Sequence, residues 1–552
     1  MKVLLVALNS KYIHSNLAVR YLRAFTKDMD YEGKIREFSI NDREERILKE
    51  IIYEKPDVVA FSTYIWNVTM VTELASLIKK VNKNIEIVYG GPEVSYDSRE
   101  FLEENVGEYV IEGEGEKTYR DFIEYKLGKI ELKDVKGLHY KKDGIVYSNA
   151  RRMPMDMNEI VFPYEEDEDL SNKIVYYESS RGCPFNCIYC LSSTTHGVRF
   201  LDIERVKREL QYFIDKKVRL VKFVDRTFNC NHKHTMAIWQ FLINADTDTE
   251  FHFEVSADIL KDSEIELLKT APKGRFRLEV GVQTTNNEIL RNINRFVNFE
   301  DIKEKVEELQ ELKNITQHLD LIAGLPGEDM ESFIKSFNDV HEIMPEEIQL
   351  GFLKLLKGSA MREESSKYNM EYSDKPPYEI LTTSKLSYFE IQRLKKVEEM
   401  VDKYYNSKKF DNILGFFYRK FDTPFDFYDK LGDFFEQKGY FDKNIGNSQY
   451  YKVFLDFNVE MLEGEEDYLV DIIRYDYLRF NKKRGMPEFL KVNIDRDIEQ
   501  KIKEYYKGIY SFKDYIIEFF SIDMDTYVST GDVYKRDNYY LVNNNNEMIK
   551  IY

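Results

Sequence analysis

The chain has 552 residues, 43% of them hydrophobic, so it is built to pack into cores and is too long for a single one; about three domains of ~100–200 residues fit that length. A formal net charge of −19 repels phosphate backbones and disfavours a nucleic-acid substrate. There are four cysteines, and three of them, Cys183, Cys187 and Cys190, stand close together, a poor disulfide framework and a good metal-site pattern.

The chain opens on a strand, Val3–Leu8, whose apolar run is too short for a signal peptide and is followed by Asn9-Ser10-Lys11 rather than a small-residue cleavage site. No stretch reaches the roughly 18 apolar residues of a membrane span, and the expected location is the cytoplasm. A helix over Asn16–Lys27 follows, then strand Asp57–Ser62, helix Val68–Val81, strand Ile85–Tyr89, helix Ser98–Glu104 and strand Tyr109–Glu112. Short apolar strands between helices predict a parallel, doubly wound α/β sheet, whose ligands bind beyond the carboxyl ends of the strands. Those ends carry Asn9-Ser10, Ser62-Thr63-Tyr64, Gly90-Gly91-Pro92 and Gly113-Glu114-Gly115. A small hairpin is expected over Gly137–Asn149, turning at Asp143-Gly144, and a proline-containing linker over Met153–Tyr164.

Alternation resumes with strands at Ile174–Glu178, Leu220–Val224, Phe251–Val255, Arg275–Val282, His318–Ala323 and Glu347–Leu353. Six such units predict a partial (β/α)6 TIM-like barrel. From about Ser384 the spacing of Leu386, Leu394, Val397, Val401 and Tyr404 is helical, and aromatic residues become dense, as a core of packed helices requires. A closing hairpin is expected over Tyr527–Ile551. The expected domains are 1–127, a linker with hairpin over 128–170, the barrel over 171–365 and a mainly helical domain over 366–552.

Cys183-Pro184-Phe185-Asn186-Cys187-Ile188-Tyr189-Cys190 is a Cys-x₃-Cys-x₂-Cys motif just after the first barrel strand. Three thiolates on one loop hold three corners of an iron–sulfur cubane and leave the fourth iron open, where ordinary clusters use four cysteines. The alternative is zinc, with Cys230 of Cys230-Asn231-His232-Lys233-His234 as a fourth ligand.

The motif and its surroundings resemble the radical SAM superfamily over Ile174–Met361. The resemblance implies a [4Fe-4S] cluster on Cys183, Cys187 and Cys190, and S-adenosylmethionine (SAM) contacts from Tyr189, from Asp225 in Phe223-Val224-Asp225-Arg226, from Glu254, from Glu279 and Gln283 in Leu278-Glu279-Val280-Gly281-Val282-Gln283, and from Gly324-Leu325-Pro326. Asp225 departs from the family's glycine–glycine–glutamate version. Glu254 and Glu279 have an alternative reading as paired structural carboxylates, and Gly324-Leu325-Pro326-Gly327 as a turn.

The sheet-forming domain before the motif resembles the cobalamin-binding class of that superfamily, through Gly90-Gly91-Pro92-Glu93 and Glu112-Gly113-Glu114-Gly115-Glu116. It lacks both common nucleotide-binding glycine motifs. The resemblance implies a Rossmann-like domain holding cobalamin through Asn9, Ser10, Ser62, Tyr64, Trp66, Gly90, Gly91, Pro92, Glu93, Glu112, Gly113, Glu114 and Gly115, with Tyr64 and Trp66 against the lower corrin face or Trp66 in the core. The familiar Asp-x-His-x-x-Gly ligand motif is absent, so His14 is expected to hydrogen-bond rather than to bind cobalt. The implied activity is reductive cleavage of SAM to a 5′-deoxyadenosyl radical under anaerobic conditions and methylation of an unactivated carbon. The alternatives are rearrangement or cyclisation without methyl transfer, and a non-catalytic cobalamin or redox sensor. The implied partners are a small-molecule substrate and an electron donor such as flavodoxin or ferredoxin. No catalytic residue beyond the cluster is assigned.

Because the fourth iron must stay open for SAM, Cys230→Ala is expected to retain the iron–sulfur absorbance of the reconstituted protein. Loss of that absorbance would make Cys230 a ligand.

Overall fold

The computed structural model describes residues 1–194, 197–481, 485–512 and 514–551. It divides into two compact units, Met1–Ser332 with Phe352–Ser387, and Phe333–Gly351 with Tyr388–Tyr552.

The first unit begins with alternating elements: β1 (Lys2–Asn9), α1 (Leu17–Phe25), β2 (Glu32–Ser39), α2 (Glu44–Tyr53), β3 (Val58–Ser62), α3 (Val68–Val81), β4 (Glu86–Gly90), α4 (Ser98–Glu104), β5 (Tyr109–Ile111) and α5 (Gly115–Lys126). The strands run parallel in the order β2-β1-β3-β4-β5. Hairpin strands β6 (Leu138–Lys142) and β7 (Ile145–Ser148) extend the sheet antiparallel, turning at Asp143 and Gly144, both at positive φ. β1 reads as a continuous apolar run because both its faces are covered. Leu4, Val6 and Leu8 enter one core cluster, and Val3, Leu5 and Ala7 enter the other. The order reverses direction between β1 and β3, and a crevice opens there at the carboxyl ends of the strands.

The sequence pattern assigns no element between Lys27 and Asp57, where β2 and α2 lie. β2 is an edge strand, half-buried over most of its length. Its Lys34 and Arg36 reach Glu54, so charged residues replace the apolar alternation that marks a covered strand.

The strands Ile174–Tyr177, Leu220–Phe223, Glu250–Val255, Phe276–Gln283 and Thr316–Ala323 pair in parallel, each with the next, and helices lie between them. This is the open barrel that the βα repeat predicts. A sixth strand, Glu347–Phe352, follows in the chain, and the division between the two units falls within it. The free edge of the first barrel strand is covered by the loop after β1. Ile174 N–H donates to the Ile13 carbonyl at 2.8 Å, and Ser15 Oγ donates to the Ile174 carbonyl at 3.0 Å.

The second unit is mainly helical. Its helices include Tyr388–Met400, Asp411–Tyr418, Pro424–Gln437, Asn447–Leu462 and Leu469–Phe480. They enclose an aromatic core in which Phe454 lies 4.8 Å from Tyr404 and 5.4 Å from Phe417, centroid to centroid. The dense aromatic residues of this region are packing residues, as their helical spacing indicates. The expected hairpin over Tyr527–Ile551 is corrected. Tyr527 sits in a short helix, Met524–Thr530, capped by Asp523 and ended by Gly531 at φ +73°. Lys535–Asn543 pairs with both Tyr515–Ile522 and Met548–Lys550, giving three antiparallel strands. Among the described residues no helix is long and apolar enough to cross a membrane.

Truncating Phe454 removes a fully buried ring from this core. Phe454→Ala is expected to lower the stability of the second unit by about 3–5 kcal/mol, measured by urea denaturation.

Candidate functional site

The cysteine loop is held at both ends. Before it, the buried carboxylate of Asp225 accepts from Ser179 N at 2.9 Å, Ser179 Oγ at 2.7 Å and Ser180 Oγ at 2.5 Å. Burial raises the Asp225 pKa, and these donors oppose that rise. Gly182 lies at φ +100°, and a Cβ there would stand 2.0 Å from the Gly197 carbonyl oxygen. Within the loop, Ile188 N–H donates to Ile293 O at 3.1 Å, and Ile188 O accepts from Met361 N at 2.9 Å. Two residues before Cys183, the guanidinium of Arg181 contacts Glu178 at 2.9 Å and Glu116 at 2.5 Å. Burial and nearby Arg181 act oppositely on Glu178, and burial wins, pushing its pKa to about 7.

Cys183, Cys187 and Cys190 line one cavity of about 210 Å³. Tyr189, Glu254, Glu279 and Gln283 line it too, so the structure brings together seven residues that sequence reasoning assigned separately. The thiols sit on the wall beyond the carboxyl end of the first barrel strand, and Thr227 Oγ1 lies 3.3 Å from Cys183 Sγ. Burial raises the Cys187 pKa while the adjacent Arg295 pulls it down. Three thiols on one wall suit a cubane that takes one thiolate at each of three irons. Cys230 is outside the lining, and burial pushes its thiol up to about 11.

The barrel interior below the thiols is rich in charge. Glu279 accepts from Lys222 Nζ at 2.9 Å and lies 2.9 Å from His252 Nε2. Burial opposes its ionisation, but the His252 contact and the Lys222 charge outweigh burial and hold its pKa well below the usual range. Burial and the Glu279 charge together drive the Asp320 pKa the other way, upward. Burial also raises Glu254. Gln283 stands at a β-bulge with φ +71°, and its buried Oε1 has no hydrogen-bond partner. Gly281 makes this possible, since a Cβ there would lie 2.2 Å from Gln283 Nε2. A bulge that re-aims an unsatisfied amide into a cavity leaves that amide for a ligand. Asp225 and Gly324-Leu325-Pro326 are outside the lining. Asp225 braces the loop instead, and Gly324 at φ +92° packs close to Ile380.

At the crevice between β1 and β3, Tyr64 and Trp66 stack with centroids 4.3 Å apart and 9° between planes. Trp66 is 45% exposed, which excludes the core reading, and its Nε1 donates to Leu8 O at 3.1 Å. Asn67 Nδ2 donates to Leu8 O and Ser62 O at 3.0 Å each, tying the ends of β1 and β3 together. Asn9 and Ser62 are buried at those ends, with Asn9 Nδ2 donating to His14 O at 3.0 Å. His14 Nδ1 lies 2.7 Å from the Tyr176 hydroxyl, as a hydrogen-bonding role predicts. Gly91 at φ +118° lets the chain after β4 approach Thr63, where a Cβ would stand 2.4 Å from Thr63 O. The stacked aromatic pair, with Trp66 exposed, beside this close backbone approach suits a large flat cofactor. The carboxylates assigned nearby are engaged within the chain. Glu93 meets Tyr378 and Lys357, Glu112 meets His139 and Arg151, and Glu114 meets Arg199 and Met155 N.

Models of three families match in chain order. They are the B12 binding domain over residues 3–123, the radical SAM superfamily over 177–340 and a protein of unknown function (DUF4080) over 366–538. The chain carries a B12-binding domain followed by a radical SAM domain. The uncharacterized methyltransferase PH0819 of Pyrococcus horikoshii is 28% identical over 234 residues, 40% of this chain and 51% of its own length. The cobalamin-dependent radical SAM methyltransferase TokK of Streptomyces tokunonensis is 25% identical over 302 residues, 50% of this chain and 44% of its own length. This chain therefore spans about half the length of the curated relatives it matches. The cobalamin-dependent S-adenosylmethionine radical enzyme OxsB, solved with aqua-cobalamin and S-adenosylmethionine bound, shares the fold. Its TM-score is 0.57 at 16% identity, covering 92% of this chain and 81% of that one.

Sequence reasoning missed Arg226, Arg295 and Asp320, which also line the cavity of the radical SAM domain. Arg295 Nη2 donates to Gly281 O at 2.5 Å. A lone arginine in a loop carries no spacing signal. Asp320 was legible, because it alternates with buried Leu319 and Leu321 along a strand and so faces the barrel interior with His318.

Gly182→Ala tests the loop geometry. The positive φ alone costs on the order of 1–3 kcal/mol for a non-glycine residue, before the clash with Gly197. The variant is expected to keep its far-ultraviolet circular dichroism but to lose most of the iron bound on reconstitution.

Proposed function

We propose that the chain is a cobalamin-dependent radical SAM enzyme that methylates an unactivated carbon of a small molecule. It holds a [4Fe-4S] cluster through Cys183, Cys187 and Cys190, and cobalamin at the carboxyl end of the β1–β5 sheet. The observation that carries this reading is one cavity, lined by all three thiols and by the unsatisfied amide of Gln283, within the domain that matches the radical SAM model. When bound, the cluster supplies the electron that cleaves SAM, and cobalamin supplies the methyl group.

The residues around the cavity divide the remaining work. Gln283, Glu254 and the ionised Glu279 offer acceptors to the cationic amino and sulfonium groups of SAM, and Tyr189 lies on the cysteine loop where the adenine is expected. Asp225, Gly182 and Ile188 fix the loop's course. On the cobalamin side, Tyr64 and Trp66 provide a flat face, Gly91 permits close backbone approach, and Asn9, Ser10, Ser62, Gly90, Pro92, Gly113 and Gly115 form the rim. Glu93, Glu112 and Glu114 shape that rim through their ion pairs. An electron donor such as flavodoxin or ferredoxin and a cytoplasmic, anaerobic setting complete the reading. The domain over 366–552 is left without an assigned role.

Anaerobic reconstitution with iron, sulfide and cobalamin, followed by incubation with methyl-labelled SAM, tests the proposal. Wild-type protein is expected to show iron–sulfur absorbance and to release 5′-deoxyadenosine. Replacing Cys183, Cys187 and Cys190 together by Ala is expected to abolish both, while cobalamin still binds. Cluster absorbance that survives the triple replacement would overturn the assignment.

A further inference from the structure

The cations at the cavity are not equivalent. Lys222 is held by Glu279 at 2.9 Å. Arg295 is half-buried, donates to Gly281 O and sits beside Tyr189 and Cys187. Arg226 also lines the cavity, yet it is exposed, and among the described residues no carboxylate comes within ion-pair distance of its guanidinium. Its nearest charged influence is on Glu254 on the barrel side and on Tyr64 on the crevice side. Arg226 therefore stands on the wall of the thiol-lined cavity with its guanidinium open to solvent. Its backbone is fixed by its neighbours. Asp225 is bound to Ser179 and Ser180, and Thr227 Oγ1 donates to the Arg226 carbonyl at 2.8 Å.

A guanidinium offers a rigid fork of donors that matches an oxyanion in two parallel hydrogen bonds. An arginine held at its backbone, facing a cavity and lacking an internal acceptor, is prepared for an acceptor that arrives from outside. We propose that Arg226 anchors an oxyanion of the substrate, so that the molecule acted on carries a carboxylate or phosphate group bound in the thiol-lined cavity. The proposal rests on the radical SAM reading of the cavity and adds the substrate's chemical class to it. The surrounding charges favour this division of labour. Glu279 and Glu254 line the same cavity and suit the cationic end of SAM, which leaves Arg226 as the anion-seeking group.

Arginine-selective modification by phenylglyoxal, mapped by mass spectrometry, tests the assignment at residue level on the reconstituted protein. Inorganic phosphate and succinate serve as probes against chloride at matched ionic strength. One or both probes are expected to slow modification of Arg226 by about tenfold, a charge-assisted hydrogen bond's worth of occupancy, while exposed Arg46 and Arg99 react unchanged. Protection by phosphate alone identifies a phosphorylated substrate, and protection by succinate alone a carboxylic one. Equal rates in all three salts would overturn the proposal. So would full protection by SAM alone, which would assign Arg226 to the SAM carboxylate. Failure of the wild-type protein to assemble a cluster or cleave SAM would defeat the radical SAM reading instead, and the salt comparison would still report on the anion site.

Discussion

The buried guanidinium of Arg181 ties the two halves of the site together. It lies two residues before Cys183, yet its partners include Glu116 and, at 3.7 Å, Glu114, both from the B12-binding domain. Arg199, which pairs with Glu114, belongs to the strand residues that pair with Arg181 and Ser180. The turn after β5 is thus joined to the cysteine loop through a network of alternating charges. Removing one member of such a network strands the others away from their partners. The backbone pairing of the β1 loop with Ile174 is a second, independent tie between the same two domains. The first tie lies just beyond the carboxyl end of the first barrel strand, and the second lies at that strand's amino end, so the B12-binding domain is held along the whole length of the strand.

This arrangement explains why acidic residues at the B12-binding edge are misleading as sequence signals. Glu112, Glu114 and Glu116 flank glycines at a strand end, the place where a cofactor contact is expected. The carboxylates turn away from that role because arginines and a histidine, distant in sequence, reach them. The glycines are there for the backbone, since Gly91 and Gly113 hold a positive φ whatever lies beside them.

Much of the fold was legible. β1 and β3 are apolar runs between turn residues, the hairpin announces itself at Asp143-Gly144, and the six barrel strands fall within a residue or two of their apolar patterns. The cysteine motif marks its own site because three thiols at fixed spacing have few other uses. What stayed hidden has a common physical basis. β2 is a charged edge strand, the hydrogen bonds of Asp225 to Ser179 and Ser180 join residues far apart in sequence, and the bulge that turns Gln283 into the cavity is a backbone feature that no side-chain pattern encodes. Arg181, Arg226 and Arg295 are single residues whose meaning lies wholly in what surrounds them.

The charge balance of the barrel interior shows how these residues act as a set. Glu254, Glu279 and Asp320 share a poorly solvated space, and like charges that close cannot all ionise. The structure resolves the conflict unequally. Lys222 and His252 both favour one carboxylate, so the pKa of Glu279 is held down while that of Asp320 is driven up. The lumen therefore favours ionisation at Glu279 over the full repulsion of three charges. A cation entering from the thiol side meets that anion and the open amide of Gln283, and it can also draw further ionisation from Glu254, whose raised pKa a nearby positive charge would lower. The carboxylates of the lumen thus favour a cation at the cavity, and the preference grows as the cation approaches. An ionised carboxylate held by Lys222 and His252, beside an amide oxygen that no described residue satisfies, is an acceptor set already in place before any cation arrives, so none of its reorganisation is left to the moment of binding.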